Sequence, residues 1–158
     1  MAIEKVRAYF AAEGIAERIQ EFEVSSATVA LAAQALHCEE ARIAKTLSFH
    51  VGERVVLVVA AGDAKIDNPK YKAHFSQKAK MLSFDQAAEL IGHAVGGVCP
   101  FAVNEGVVVY LDESLKRFET VFPACGSSNS AIELTIPELE QYSGYQCWID
   151  VCKLPVSQ

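Results

Sequence analysis

The stretch that decides the fold is Ala44-Lys45-Thr46-Leu47-Ser48-Phe49-His50-Val51, then Gly52-Glu53, then Arg54-Val55-Val56-Leu57-Val58-Val59-Ala60. Two runs rich in β-branched and aromatic residues, separated by two residues that begin with glycine, read as a β-hairpin. The second run, residues 54–60, reads as the return strand of that hairpin. The first run is otherwise apolar around a lysine, flanked by Ile43 and Leu47. Burying that ammonium costs desolvation unless the head reaches water or an anion. Lys45 is therefore either a snorkelling edge residue or a ligand for a negatively charged group.

Outward from the hairpin, helical and extended patterns interleave irregularly. Ile3, Val6 and Phe10 before Gly14 predict a first helix with its stop. Residues 19–24 predict a short strand, and Ser25 or Ser26 a cap for an alanine-rich helix over 28–36. A short turn over 39–43 leads into the hairpin. Asn68-Pro69 predicts a helix start, with Asn68 as cap, for a helix reaching Phe75. Ser83-Phe84-Asp85-Gln86 and Thr135-Ile136-Pro137-Glu138 are capping boxes, predicting helices that end near Gly92 and Tyr142. Residues 107–111, 120–124, 131–135 and 146–154 read as strands, and 114–118 as a short helix. The pattern predicts an α+β fold with a mixed sheet, in one domain over residues 1–158, rather than a doubly wound nucleotide-binding fold.

Composition limits the function. Half of the 158 residues are apolar and 22% are charged, which predicts a packed core. The longest apolar run is strand-sized, and the N-terminal residues lack the basic and apolar regions of a signal peptide, so cytoplasm is expected, without membrane contact. Five cysteines with no CxxC pair do not form a disulfide framework. Four scattered histidines give no metal-ligand spacing, so no metal is expected. There is no GxGxxG after a strand, no GxxxxGK[ST], no HExxH and no GxSxG. A Cys-His pair in space, from Cys99 or Cys125 with His93, stays open. Against a net charge of −6, residues 65–80 hold five lysines and one acid. This basic island is either a solvated helix face or a local nucleic-acid contact.

Two further segments are unusual: the glycine-rich loop over residues 92–101, and the small, polar run over residues 124–129 after a strand. Taken singly, they are an ordinary connection and a tight turn. The combination is more specific. Ala44-Lys45-Thr46-Leu47, then Gly96-x-x-x-Pro100-Phe101, then Pro123-Ala124-Cys125-Gly126-Ser127-Ser128-Asn129 followed by Ile132-Glu133-Leu134-Thr135, resembles the YbaK-like, prolyl-tRNA synthetase-associated editing-domain family. The resemblance covers nearly the whole chain. It implies a mixed domain with a barrel-like sheet surrounded by helices, and hydrolysis of mischarged aminoacyl-tRNA with no metal or cofactor. It places Lys45, Gly96 and Gly126 in the catalytic machinery. It places Thr46, Gly97, Pro100, Phe101, Cys125, Ser127 and Asn129 around the substrate.

As partners, the resemblance implies the acceptor end of an aminoacyl-tRNA, proline tRNA first, and transient association with a prolyl-tRNA synthetase, with no role for DNA. Lys65, Lys70 and Lys72 would then dock the acceptor end. No synthetase body accompanies the domain, which implies a freestanding member. Cys125-Gly126 stands where many members have a Gly-x-Gly-like or Ala-Gly pair, which bears on pocket size. An activated ester needs orientation and oxyanion stabilisation more than a strong nucleophile, so the missing triad fits this chemistry. The rival readings are a noncatalytic tRNA- or protein-binding module of the same fold, and a thiol-dependent hydrolase.

Overall fold

The computed structural model describes residues 2–155. Helix α1 (Ala2–Ala12) buries Val6 and Phe10, as its spacing predicts. A single 3-10 turn separates it from β1 (Gln20–Glu21). Helix α2 (Val29–Leu36) is capped by Thr28, whose side chain accepts from Leu31 N, so Ser25 and Ser26 are not its caps. Strands β2 (Ile43–Val51) and β3 (Arg54–Ala61) form the hairpin, with Val51 opposite Arg54 across the two-residue turn. Gly52 there has φ +62°, which the tight turn demands. Then come β4 (Lys65–Ile66) and α3 (Asn68–Phe75). The cap of α3 is Asp67, one residue before the expected Asn68, and it accepts from Lys70 N. Its charged carboxylate outcompetes the Asn68 amide for the helix N-terminus.

Helix α4 (Phe84–Gln86) carries the full Ser83/Gln86 capping box and continues as a π turn, Ala87–Ile91, to Gly92. The C-terminal half comprises β5 (Val108–Asp112), β6 (Thr120–Pro123), β7 (Ser130–Ala131), β8 (Leu134–Thr135), α5 (Ile136–Ser143), β9 (Trp148–Ile149) and β10 (Cys152–Lys153). Two stretches that read as single strands are each divided. Residues 131–135 split between β7, which pairs with β1, and β8, which pairs with β6. Residues 146–154 split between β9, on β5, and β10, on β4. Each stretch crosses a corner where the chain changes sheet, and a period-two pattern does not reveal such a bend.

The central sheet has the order β8-β6-β2-β3-β5-β9. The hairpin is antiparallel, whereas β6 joins β2, β5 joins β3 and β9 joins β5 in parallel. The mixed sheet curls into a half barrel, as the resemblance implies. Residues Val56 to Ala61 of β3 are fully buried, which accounts for their unbroken apolar run. Phe10 of α1 meets Phe101 edge-on at 4.8 Å in the main core. A smaller apolar cluster joins Ala32 and Ala33 of α2 to Ile43 of β2 and Phe122 of β6. Small side chains on α2 let it approach the sheet closely beside the cleft described below. Among the described residues no helix is long and apolar enough to cross a membrane.

Candidate active site

Strand β2 forms the floor of a cleft of about 590 Å³. Residues Ile43 to Ser48 line it, together with the start of α2, the 81–84 segment, Val95, Gly96 and Val98 of the glycine loop, and Ala124, Ser130 and Ala131. Sheet geometry supplies the floor, and loops from three other regions supply the walls. The cleft brings together Lys45, Thr46 and Gly96 of the residues singled out in the sequence.

Lys45 is half-buried, and its Nζ donates to the carbonyl oxygens of Ala64 and, at 3.4 Å, Gly62. Burial lowers its pKa from the ordinary lysine value, partly opposed by Cys152 and Asp63 nearby. The neighbouring carboxylate, Asp63, is engaged elsewhere, by both terminal nitrogens of Arg117. The Lys45 charge thus rests on neutral carbonyls, with one of the three ammonium N–H groups uncommitted. Beside it, Thr46 Oγ1 is buried without a hydrogen-bond partner. Tyr71 OH, His93 Nδ1 and Ser143 Oγ are also unpartnered among the described residues, but Thr46 alone of these four lines the cleft.

The two adjacent glycines serve different ends. Gly97 N donates to Ala94 O at 3.0 Å, closing a turn that places Gly96 at φ +98° on the cleft wall. A Cβ on Gly97 would lie 2.6 Å from Ser127 N and 2.7 Å from Gly126 C, so this glycine lets the two small-residue loops touch backbone to backbone. The Gly96 N–H makes no hydrogen bond to any described residue.

The remaining residues stand behind this surface. Gly126 packs on the start of α1, where a Cβ would meet the Ala2 backbone at 2.9 Å. Pro100 and Phe101 are buried, and the Phe101 ring belongs to the core. Ser127 Oγ donates to Asn129 Oδ1 at 2.9 Å and lies 2.7 Å from Ser130 Oγ. Asn129 Nδ2 donates to Phe22 O at 3.0 Å, and Phe22 N to Asn129 O at 2.8 Å. These contacts fasten the 124–129 loop to the strand region before α2.

Cys99 and His93 do meet, with Sγ 3.6 Å from Nε2, and both are fully buried. Burial pushes the Cys99 thiol up to about 12 and the Cys125 thiol well above its ordinary value, while it lowers His93. An activated thiolate requires the opposite shifts. None of the three lines the cleft. Their arrangement gives the thiol-hydrolase reading no support. Among the described residues no three His, Cys, Asp or Glu side chains are grouped as metal ligands would be.

The basic island is partly committed. Lys70 Nζ pairs with Asp150 at 3.0 Å and bonds Cys152 O. Lys72 lines a second cavity, of about 600 Å³, with Lys78. Lys65 is exposed on β4. Sequence reasoning missed the 81–84 segment and Val95 as cleft walls.

The site thus consists of a half-barrel sheet with one lysine on the cleft floor and two apposed glycine loops at its wall. Residues 23–142 match the aminoacyl-tRNA editing domain, and the chain belongs to that family. It is 54% identical over 154 residues to the uncharacterized protein YwhH of Bacillus subtilis, covering 97% of this chain and 98% of that one. It is 27% identical over 94 residues to proline–tRNA ligase of Bacillus cytotoxicus, covering 59% of this chain and 16% of the ligase. A solved structure described as a candidate trans-editing enzyme for prolyl tRNA synthetase superposes with a TM-score of 0.85 at 27% identity, covering 96% of this chain and 97% of that one.

Proposed function

We propose that the protein is a deacylase that hydrolyses the ester of a mischarged aminoacyl-tRNA, with proline tRNA carrying a small noncognate amino acid as its substrate. The observation that carries this reading is the cleft itself. In a chain of the editing-domain family, it brings Lys45, Thr46 and Gly96 to one lining, with the Lys45 ammonium half-buried, the Gly96 N–H uncommitted among the described residues and the Thr46 hydroxyl buried without a partner. The match to a stretch of a proline–tRNA ligase supports the choice of tRNA.

Each group has a role suited to its chemistry. The ammonium of Lys45, oriented by the Gly62 and Ala64 carbonyls, directs its remaining N–H at a phosphate or ribose oxygen of the terminal nucleotide. Gly96 N–H donates to the carbonyl oxygen as it gains charge, a contact strongest in the transition state. Thr46 Oγ1 bonds the substrate's amino or ester group, supplying the partner it otherwise lacks. Water adds to the ester carbon, and its proton passes through the terminal 2′-hydroxyl or a second water to the departing ribose oxygen. The products are the free amino acid and uncharged tRNA. Gly97, Gly126, Ser127 and Asn129 hold the two loops in register, and Pro100, Phe101 and Cys125 anchor them to the core.

The acceptor end extends from the cleft along the basic island. Lys72, with Lys78, is the better placed docking group, since Asp150 already engages Lys70. The test is deacylation of a panel of correctly and incorrectly charged tRNAs by purified protein. The expected result is release of a small noncognate residue from proline tRNA, with the prolyl ester spared. A panel on which no ester turns over faster than in buffer, or on which only other tRNAs do, overturns the proposal.

A further inference from the structure

The cleft mouth carries an apolar surface that the ester chemistry leaves unexplained. Six large apolar side chains are exposed among the described residues, and three of them line this cleft: Phe84 at 76%, Met81 at 59% and Val95 at 46% exposure. Single exposed apolar residues need no explanation, but a cluster at the rim of a site does.

The 80–86 segment holds Met81 and Phe84 outward by construction. His50 N donates to Lys80 O at 2.8 Å and Leu82 N to Ser48 O at 3.2 Å, so residues 80–82 run along the β2 edge. There Met81 points out while Leu82 is buried. Phe84 follows at the first helical position, directly after the Ser83 cap. Gln86 Oε1 accepts from Ser83 N at 3.0 Å and lies 3.1 Å from His50 Nε2, which ties the capping box to the sheet. On such a support the backbone of Phe84 is held at the cleft mouth, and its ring is left exposed there. Lys80 immediately precedes Met81 and Lys78 lies two residues further back, so cationic charge adjoins the apolar rim in the chain.

An apolar ring beside lysines, at the mouth of a cleft that takes an aminoacyl ester, suits one ligand chemistry: a stacked nucleobase with its phosphate alongside. We infer that Phe84, flanked by Met81 and Val95, is the stacking platform for the terminal base of the aminoacylated acceptor strand. This rests on the reading of the cleft as the ester site. Seating the base at the rim fixes the ribose, and thereby the ester, over Lys45 and Gly96. Stacking is tolerant of base identity, so the platform contributes affinity and positioning rather than sequence choice.

The test uses an RNA minihelix ending in 3′-alanylamino-3′-deoxyadenosine, a non-hydrolysable amide, and the same minihelix whose last residue lacks its base. Binding of both is measured for wild type, Phe84→Ala, Phe84→Leu and Phe84→Trp, with thermal unfolding beside each. Wild type is expected to favour the base-bearing probe by ~5- to 100-fold. Phe84→Ala should lose that preference while binding the abasic probe as wild type does, Phe84→Leu should keep little of it, and Phe84→Trp should keep most. A wild type that binds both probes equally, or a Phe84→Ala protein with undiminished preference, overturns the inference while leaving the deacylase reading intact. A wild type that binds neither probe and hydrolyses no ester overturns both. If wild type sediments as a dimer that Phe84→Ala dissociates, with base preference unchanged, the rim belongs to a second copy of the chain and the inference falls.

Discussion

Two polar stations lie on the same sheet and differ in one respect. At the end of β5, Asp112 is fully buried, and its carboxylate accepts from Ser114 N at 2.9 Å and Val151 N at 3.0 Å. Ser114 Oγ in turn accepts from Ala61 N at 3.0 Å. That network links β3, β5 and the chain before β10 through backbone donors. At the start of β2, Lys45 and Thr46 line a cleft, the half-buried lysine has no carboxylate partner among the described residues, and the buried threonine hydroxyl has no partner among them. The first station is satisfied within the protein, as buried polar groups are in a stable fold. The second would be completed by a ligand. Incomplete satisfaction of polar groups, more than their presence, separates a site from a structural joint in this molecule.

The contrast predicts opposite outcomes for substitutions at the two stations. Asp112→Ala strands two buried backbone N–H groups, so unfolding should show a loss of ~3–5 kcal/mol. A loss below ~1 kcal/mol would mean that water serves those donors equally well. Thr46→Val removes an unsatisfied hydroxyl without changing shape. Denaturant unfolding should show stability unchanged or raised by ~1 kcal/mol, while kcat/KM for deacylation falls ~5- to 100-fold. Lost stability with intact kinetics would place Thr46 with Asp112 as a structural group.

A third substitution sits outside both stations and calibrates them. Arg18 holds Glu138 at 2.7 Å, and that hydrogen bond brings the carboxyl from 4.5 down to about 2. A depressed carboxylate contributes stability above its unfolded pKa and loses it as pH falls through the folded one. The Glu138→Gln protein should therefore be less stable than wild type by ~1–2 kcal/mol at pH 7, allowing for solvent screening, and equal to it near pH 2. Parallel pH profiles for the two proteins would contradict this. The smallest effect is expected at Lys72. Lys72→Glu should raise KM a few-fold with kcat unchanged, and the salt dependence of binding should flatten by ~0.7–0.9 in log-log slope. Unchanged KM and slope would make the island a solvated face only.

Much of the fold could be read in the chain because local chemistry dictates it. The hairpin follows from an apolar run and a glycine turn, and both capping boxes appear where Ser83 and Thr135 place them. What escaped was set by tertiary geometry. Nothing local marks the corners at residues 132–133 and 150–151, where one apparent strand serves two sheets. Lys45 stood out because a charge in an apolar strand is costly, and Gly96 through the family motif. Phe84 and Met81 did not, since an exposed apolar residue carries no signal until its neighbours across the cleft are known. Phe101 and Cys125 illustrate the reverse: both belong to the motif, yet both are core.

The most direct test of the account is Lys45, measured in deacylation of a mischarged proline tRNA alongside thermal unfolding. Lys45→Ala removes a charge-assisted contact in a half-buried site, so kcat/KM should fall ~10- to 100-fold or more. Lys45→Arg should rescue poorly, since a planar fork does not fit a position shaped for one ammonium on two carbonyls. Both proteins should unfold near the wild-type temperature. Full activity in a normally folded Lys45→Ala protein would contradict the assignment of this cleft.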